Sequence, residues 1–388
     1  MIELHNILIT AIIAFVGTLW IHPKILKIAI LKNIVDNPDA RKLQRNPIPV
    51  LGGLAVFFGM IIGVCSSQAM FNTPSVFMLM AAMLIMLYLG TIDDVLGLTP
   101  TMRFVIEILV VLWLIYVNEA SISSLWGVFG INGIPAWVAV PLTVFAAVGI
   151  INAINLIDGV NGLSSGFCFM ASVLFAIAFY LSGNEKMTIV AAAAAGAIVP
   201  FFLHNVFGNK TRMFIGDGGT LTIGIMMSMF VISILTKGSD SGALAKKGFG
   251  LVPFTLSVLA IPVFDTLRVM STRIMKGKSP FSPDKTHLHH MFIDLGFTHI
   301  GTTVSILTLN FLVVAVWFIS CLIGTPVEIQ LLIVLLMGIS ATFLFYMYAE
   351  KQLEKQGKGL QNLKRIGKAM NFEKKGIWKT IQDFIDKL

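Results

Sequence analysis

Charge is what this sequence has least of. Asp, Glu, Lys and Arg supply only 12% of its 388 residues, where a soluble domain carries about 25%. With 56% hydrophobic residues and a mean hydropathy of +0.86, the chain has too little polar surface for water and is expected to be an integral membrane protein. Cysteine is scarce too. Cys65, Cys168 and Cys321 fall in apolar runs with no spaced pair, so they read as small buried hydrophobes. No basic stretch precedes the first apolar run, and no small-residue cleavage site follows before Lys24. That run is therefore expected to be a span rather than a cleavable signal. Internal repeats and low-complexity tracts are missing, and the apolar runs are continuous rather than alternating, which excludes a β-barrel.

A helix needs about 20 mostly apolar residues to cross a bilayer. Eleven such runs start near Ile7, Val50, Val76, Met102, Trp137, Leu163, Met187, Leu221, Gly250, Gly301 and Glu328. The expectation is an all-α integral membrane protein of about eleven transmembrane helices, with a catalytic membrane domain over 1–349 and a tail over 350–388. Of the 28 Lys and Arg residues, 24 fall in the odd-numbered loops and the tail; the even loops hold only Lys186, Lys237, Lys246 and Lys247. By the positive-inside rule the odd loops and the C-terminus are cytoplasmic and the N-terminus is outside. The net charge of +8 is then an orientation signal. It is dispersed over several loops, which argues against a nucleic-acid partner. In the tail, Ile377, Trp378, Ile381, Phe384, Ile385 and Leu388 share one helix face. With Lys opposite, this reads as a basic amphipathic helix on the inner leaflet.

Polar groups at membrane depth are costly, about 2.5–3.5 kcal/mol for a central Asp on insertion scales. Here they cluster in the odd loops, while the even loops show nothing comparable. Asp93 and Asp94 end the third run; adjacent carboxylates are easiest to hold around a hard cation. Alone, the pair reads as well as a helix end facing water. Asn152, Asn155, Asp158 and Asn161 recur every three residues and would line one helix flank. Amides there can bind a sugar or a phosphate, although Asn152, the deepest, can equally be helix–helix glue. Asp217 lies in "FIGDGGT", a glycine-rich turn opening the eighth run, where it can hold a Mg²⁺ that bridges to phosphate or simply cap the helix. Asp265 and Arg268, three apart, and Arg103 and Glu107, four apart, read as plain ion pairs.

Three of the seven histidines, His287, His289 and His290, sit in "PDKTHLHHMFIDLGF". No cysteine lies nearby to complete a structural zinc site. Lys285, Arg268, Arg273, Lys276 and Lys278 share the loop, a concentration of donors that suits phosphate. Carboxylates for a metal, donors for phosphates and amides for hydroxyls, all beside lipid, fit phosphoryl transfer from a soluble anionic donor to a membrane-bound acceptor.

The segments "RK…PIPVLGG", "DD", "NAINLIDGVNGL", "FIGDGG" and "SPDKTHLHH" occur in one order over all five odd loops. In this the chain resembles the polyprenyl-phosphate N-acetylhexosamine-1-phosphate transferases. It is most similar to the branch that starts O-antigen, common-antigen and teichoic-acid linkage units on undecaprenyl phosphate. The resemblance implies that a lipid phosphate attacks the β-phosphorus of a UDP-N-acetylhexosamine. Polyprenyl-diphospho-sugar and UMP are released at the cytoplasmic face of the bacterial inner membrane. GlcNAc is the expected sugar, Mg²⁺ the expected cofactor with Mn²⁺ as an alternative, and a homodimer one expected assembly. Position by position it implies metal or acceptor chemistry for Asp93 and Asp94, a magnesium ligand in Asp217 and an aromatic stacking on uracil in Phe214. Asn155 and Asp158 match the nucleotide-pocket motif, and His287, His289 and His290 the histidine motif around the diphosphate and sugar. Asn152, Asn161, Arg268, Lys285 and Lys42 complete the expected substrate-binding set.

The chain also departs from that pattern. Asn161 stands where an aspartate is frequent, Gln44 where a histidine often follows "RK", and Val50 where a basic residue is frequent. Eleven runs and "HLHH" point away from the related muramoyl-pentapeptide transferases. A transporter of an anionic metabolite, with Asp265, Asn152 and Pro262 lining its path, is the alternative from another class. It would call for repeats and a midplane site.

Overall fold

The computed structural model describes residues 3–36, 47–70, 73–280, 284–372 and 376–388. Lys42 and Gln44 lie outside the described residues. The described chain is helical apart from one two-residue antiparallel pairing, β1 (Val35–Asp36) with β2 (Ile48–Pro49). In chain order the helices are α1 (Leu4–Leu31), α2 (Gly52–Cys65), α3 (Pro74–Leu96), α4 (Pro100–Asn118), α5 (Ala136–Leu156), α6 (Leu163–Ser182), α7 (Glu185–Phe207) and α8 (Gly216–Leu235). They continue as the short α9 (Gly242–Ala245), α10 (Leu251–Val258), α11 (Ala260–Met275), α12 (Leu288–Asp294), α13 (His299–Leu322) and α14 (Val327–Ile339). After one π-turn over Ser340–Leu344 come α15 (Phe345–Lys355), α16 (Lys358–Ala369) and α17 (Gly376–Ile385).

Among the described residues, nine helices are long and apolar enough to span a membrane, or ten if the bent α10–α11 pair counts as one. Each of the about eleven expected runs forms a helix, and nine to ten of them reach spanning length. The run near Val50 yields α2, only 14 residues, or about 21 Å at 1.5 Å per residue, short of a ~30 Å hydrocarbon core. The run near Gly250 forms α10 and α11, bent by 76°. Proline explains the break. Pro262 has no N–H to give the carbonyl of Val258, four residues back. Asn310 of α13, fully buried, supplies the missing partners. Its Nδ2 donates to Val258 O at 3.0 Å and its Oδ1 accepts from Ile261 N at 2.9 Å.

Helix boundaries follow local chemistry. Thr99 caps α4, its Oγ1 accepting from Met102 N, with Pro100 at the first turn. Asn184 and Thr298 cap α7 and α13 in the same way. Gly97 (φ 70°) ends α3 in the left-handed conformation. α8 is largely apolar on all sides and buried along nearly its whole length, as expected of a helix enclosed by others; α2, α3, α5 and α10 pack around it. α3 approaches the start of α8 very closely. A methyl added at Gly90 would stand 2.4 Å from the backbone of Asp217 and Gly218.

The expected boundary at 349/350 falls inside α15, so the membrane domain runs into the tail without a break in the helix. In α17 the anticipated apolar face divides. Trp378 packs on Phe207 with ring centroids 4.8 Å apart and Ile385 is buried, while Ile377 and Phe384 stay exposed.

Gly90→Ala is expected to lower the stability of the detergent-purified protein by about 1–3 kcal/mol through overpacking. Gly149→Ala, where no atom lies within 4 Å, is expected to be harmless. Thermal unfolding of both variants checks this, and equal melting temperatures would contradict the close contact.

Candidate active site

Loops far apart in sequence meet around one guanidinium. The turn after α3 is tied by Asp93 Oδ1, which accepts Leu98 N at 2.7 Å. One turn into α4, Arg103 Nη1 donates to Asp93 Oδ2 at 3.3 Å and to Asp217 Oδ2 at 3.2 Å. Its Nε reaches Glu107 Oε1 at 3.2 Å. Its Nη2 reaches Asn152 Oδ1 at 3.2 Å and Asn155 Oδ1 at 3.0 Å. The fork of five N–H donors in arginine suits such a hub. The amides close the network: Asn152 Nδ2 donates to Glu107 Oε2 at 2.6 Å, and Asn155 Nδ2 donates to Asp217 Oδ1 at 2.7 Å and to Thr220 Oγ1 at 2.8 Å.

Asp94 has a separate task. Its carboxylate accepts the backbone N–H of Asp217 at 3.1 Å and of Gly218 at 3.3 Å. It thus places a negative charge at the N-terminus of α8, where the helix dipole favours one. Gly216 (φ 71°) makes the turn, and a methyl there would come within 2.5 Å of Asp94 Oδ2. Asp94 and Asp217 are therefore held side by side, and each oxygen keeps lone pairs free for a further ligand.

The fit of a divalent cation can be tested on this donor set. Among the described residues no three His, Cys, Asp or Glu side chains form a ready-made metal cage. Mg²⁺ seldom needs one, because it keeps waters and takes one or two carboxylates plus substrate phosphates. Here three carboxylates, Asp93, Glu107 and Asp217, gather about the single guanidinium of Arg103, and Asp94 joins them through the backbone N–H of Asp217. The residual negative charge and the all-oxygen donors of Asp94 and Asp217 fit Mg²⁺ or Mn²⁺.

The histidine loop packs against the segment that follows α5. His287 Nδ1 bonds Asp265 Oδ2 at 2.9 Å, and the backbone N–H of Leu288 bonds the same oxygen at 3.2 Å. Arg268 is buried, bonds Asp265 Oδ1 at 2.7 Å, donates to the carbonyl of Thr286 and lies 3.8 Å from the ring centre of Tyr346. It braces the loop from within rather than facing the acidic cluster. Arg273 does similar work, with two 2.9 Å bonds to Asp284. Burial first, then the neighbouring His290 and His287, hold the His289 imidazole well below its usual range. Burial also lowers His290. Both are neutral at pH 7, so they offer single donors or acceptors instead of positive charge.

A methyl at Gly159 would lie 2.0 Å from His289 Nε2, so the segment after α5 closes directly on the histidine loop. Asp158 in this segment bonds Ser164 Oγ. It keeps an open face to solvent, but crowding by protein, then the charges of Asp217 and Asp36, raise its carboxyl above the ordinary range despite that bond. Asn161 is fixed through its backbone, its N–H donating to His299 Nδ1 at 3.3 Å and its carbonyl accepting from Thr303 Oγ1 at 2.8 Å. The half-buried Phe214 is pinned by its own backbone, to Pro49 O at 2.8 Å and Gly52 N at 2.9 Å. Lys285 is exposed.

Sequence reasoning missed the reach of Arg103 and Glu107. Their spacing reads as a plain helical ion pair, and the pair exists at 3.2 Å. The signal that could have singled it out is a fully buried glutamate in an apolar run. Arg103→Met is expected to cost about 3–5 kcal/mol by leaving Glu107 buried without a counter-charge. Arg103→Lys keeps the charge but loses the fork and is expected to fall between. Denaturation of purified variants checks the order, and a stable Arg103→Met would contradict it.

With this geometry in place, the similarities of the chain gain meaning. The model of Glycosyl transferase family 4 matches residues 76–235, the stretch that contributes Asp93, Asp94, Arg103, Asn152, Asn155 and Asp217. An undecaprenyl-phosphate alpha-N-acetylglucosaminyl 1-phosphate transferase of Yersinia pestis is 31% identical over 281 residues, 70% of this chain and 73% of the relative. The protein of that name from Escherichia coli O157:H7 is 27% identical over 350 residues, 87% of this chain and 89% of its own. A probable undecaprenyl-phosphate N-acetylglucosaminyl 1-phosphate transferase of Bacillus subtilis (strain 168) is 29% identical over 311 residues, 79% of this chain and 83% of its own. The chain belongs to glycosyl transferase family 4 and is a multi-pass membrane enzyme of the sugar-1-phosphate transferase kind.

Proposed function

We propose that the protein transfers N-acetylhexosamine-1-phosphate, with GlcNAc as the sugar, from its UDP form to undecaprenyl phosphate. An oxygen of the lipid phosphate bonds to the β-phosphorus of the nucleotide sugar. The phosphoanhydride bond to UMP breaks, and undecaprenyl-diphospho-sugar remains in the membrane to start a cell-envelope polysaccharide. The observation that carries this reading is the convergence of Asp93, Asp94 and Asp217 on one hub with Asn152 and Asn155. The names of the relatives supply the donor and the acceptor.

In this reading Asp217 and Asp94 hold the Mg²⁺, which would draw charge from the transferring phosphoryl group. Arg103 holds the Asp217 carboxylate in place. Asp93 fixes the turn beside it, and the lipid phosphate, already ionised at neutral pH, needs no base from it. Asn152, Asn155, Asp158 and Asn161 face the nucleotide sugar, and Phe214 stacks on uracil. His289 and His290 give single hydrogen bonds to the diphosphate and sugar, while Asp265 orients His287. Lys285 and Lys42 attract the phosphates. The site then lies on the cytoplasmic side of a bacterial inner membrane, as the distribution of Lys and Arg favours. The bent α10–α11 pair is the feature a transporter would share, but Asn310 already takes its freed Val258 C=O and Ile261 N–H.

Membranes holding the protein, supplied with Mg²⁺, undecaprenyl phosphate and a panel of UDP-sugars, test this directly. UMP release and a lipid-linked GlcNAc phosphate are expected. A preference for the muramoyl-pentapeptide donor, or nucleotide-sugar uptake without lipid product, would overturn the reading. Asp217→Asn is expected to slow transfer by about 10²–10³-fold at unchanged protein level, and full activity would remove it from the metal site.

A further inference from the structure

The loop between α7 and α8, which brings Phe214 and Asp217 to the site, is tied down in two places. Its second half is held by the turn before α2: Phe214 N donates to Pro49 O, and Phe214 O and Ile215 O accept from Gly52 N and Gly53 N at 2.9 and 2.8 Å. Asn205 joins it to the segment after α5, giving Nδ2 to Met213 O at 2.9 Å and taking Gly162 N at 2.7 Å. The first half depends on the far end of the chain. The carboxylate of Asp386, 175 residues beyond Thr211, accepts the backbone N–H of Asn209 at 2.9 Å, of Lys210 at 3.1 Å and of Thr211 at 3.2 Å, and the hydroxyl of Thr211 at 2.9 Å.

Thr211 is the knot of this arrangement. Its carbonyl bonds His22 Nε2 of α1 at 3.0 Å, and its hydroxyl bonds His204 Nδ1 of α7 at 3.0 Å. The two imidazoles stack on each other with centroids 4.3 Å apart. Three successive N–H groups turned toward one point form a concave anion seat, and Asp386 fills it. Packing of Trp378 on Phe207 and burial of Ile385 hold α17 in register for that contact. A methyl at Gly208 would meet Thr211 Oγ1 at 2.6 Å, so the turn is already as tight as glycine allows.

We propose that the C-terminal helix α17 is a strap for the nucleotide-sugar side of the site, with Asp386 as its positioning residue. It acts through the 209–211 backbone on Phe214 and touches no reacting atom. The inference rests on the function proposed above. Losing the strap leaves the carboxylate hub intact but lets the loop wander, so it weakens donor binding more than chemistry. Charge-assisted bonds of this kind are worth enough to change an equilibrium about tenfold.

The test compares wild type, Asp386→Ala, Asp386→Asn, Asp386→Glu and Asp383→Asn in membranes, varying the UDP-sugar at fixed lipid acceptor. Asp383 is exposed on α17, Asp386 lying in the turn just past that helix, and controls for the loss of charge. The expected result is a KM for the UDP-sugar about tenfold higher in Asp386→Ala and Asp386→Asn, with kcat within about twofold. Asp386→Glu is expected to recover part of the loss, and Asp383→Asn to match wild type. An unchanged KM, or an equal loss in Asp383→Asn, overturns the strap. Hydrogen exchange on the wild-type protein stands apart from any folding defect of the variants. The amides of residues 209–211 should be protected, and exchange at solvent rates would refute the contact. Wild type inactive with every UDP-sugar would instead refute the transferase reading, while protected amides would leave the strap standing as structure.

Discussion

Bringing Asp93, Glu107 and Asp217 into the interior of an apolar helical bundle requires a counter-charge, and Arg103 supplies it to all three. Desolvating several carboxylates with no cation nearby would be prohibitive. A fork of fixed donors is what allows one residue to serve three acids and two amides. The cluster stays short of positive charge even so, which is what the proposed divalent cation would neutralise. In the proposed function, structure and chemistry share one origin: the hub that lets α3, α4, α5 and α8 pack together is also where substrate would bind.

The rest of the fold serves this convergence. Small residues let backbones approach where the site must be tight, Gly90 against α8 and Gly159 against His289. Asp94 fixes the start of α8, and Asn310 allows α11 to turn away from α10 without stranding its backbone groups. The histidine loop is braced from inside by Asp265 and Arg268, while burial holds the His289 and His290 imidazoles below their usual range.

Much of this was legible in the sequence. The continuous apolar runs located the helices, and polar residues concentrated in the odd loops marked the segments that meet. The misses have physical reasons. A mean hydropathy does not register that α2 is cut short where its first residues pair with the loop before α8. Pro262 stood out only as a residue for a transport path, and nothing local announced the break, its angle or the role of Asn310, which lies in another helix. The spacing of Arg103 and Glu107 fits an ordinary helical pair so well that it conceals the contacts of Arg103 with Asp217, 114 positions away. The grip of Asp386 on the loop at Thr211 spans a comparable distance. Local patterns report local partners; these contacts exist only once the helices have packed.

The central claim is that carboxylates from α3 and α8 act as one unit. A double-mutant cycle on transfer rate, with Asp94→Asn, Asp217→Asn and the double variant, measures that coupling most directly. Groups that share a ligand are strongly non-additive, so the double variant should be no slower than the worse single one. Multiplied losses would show that the two aspartates work independently and would contradict the account.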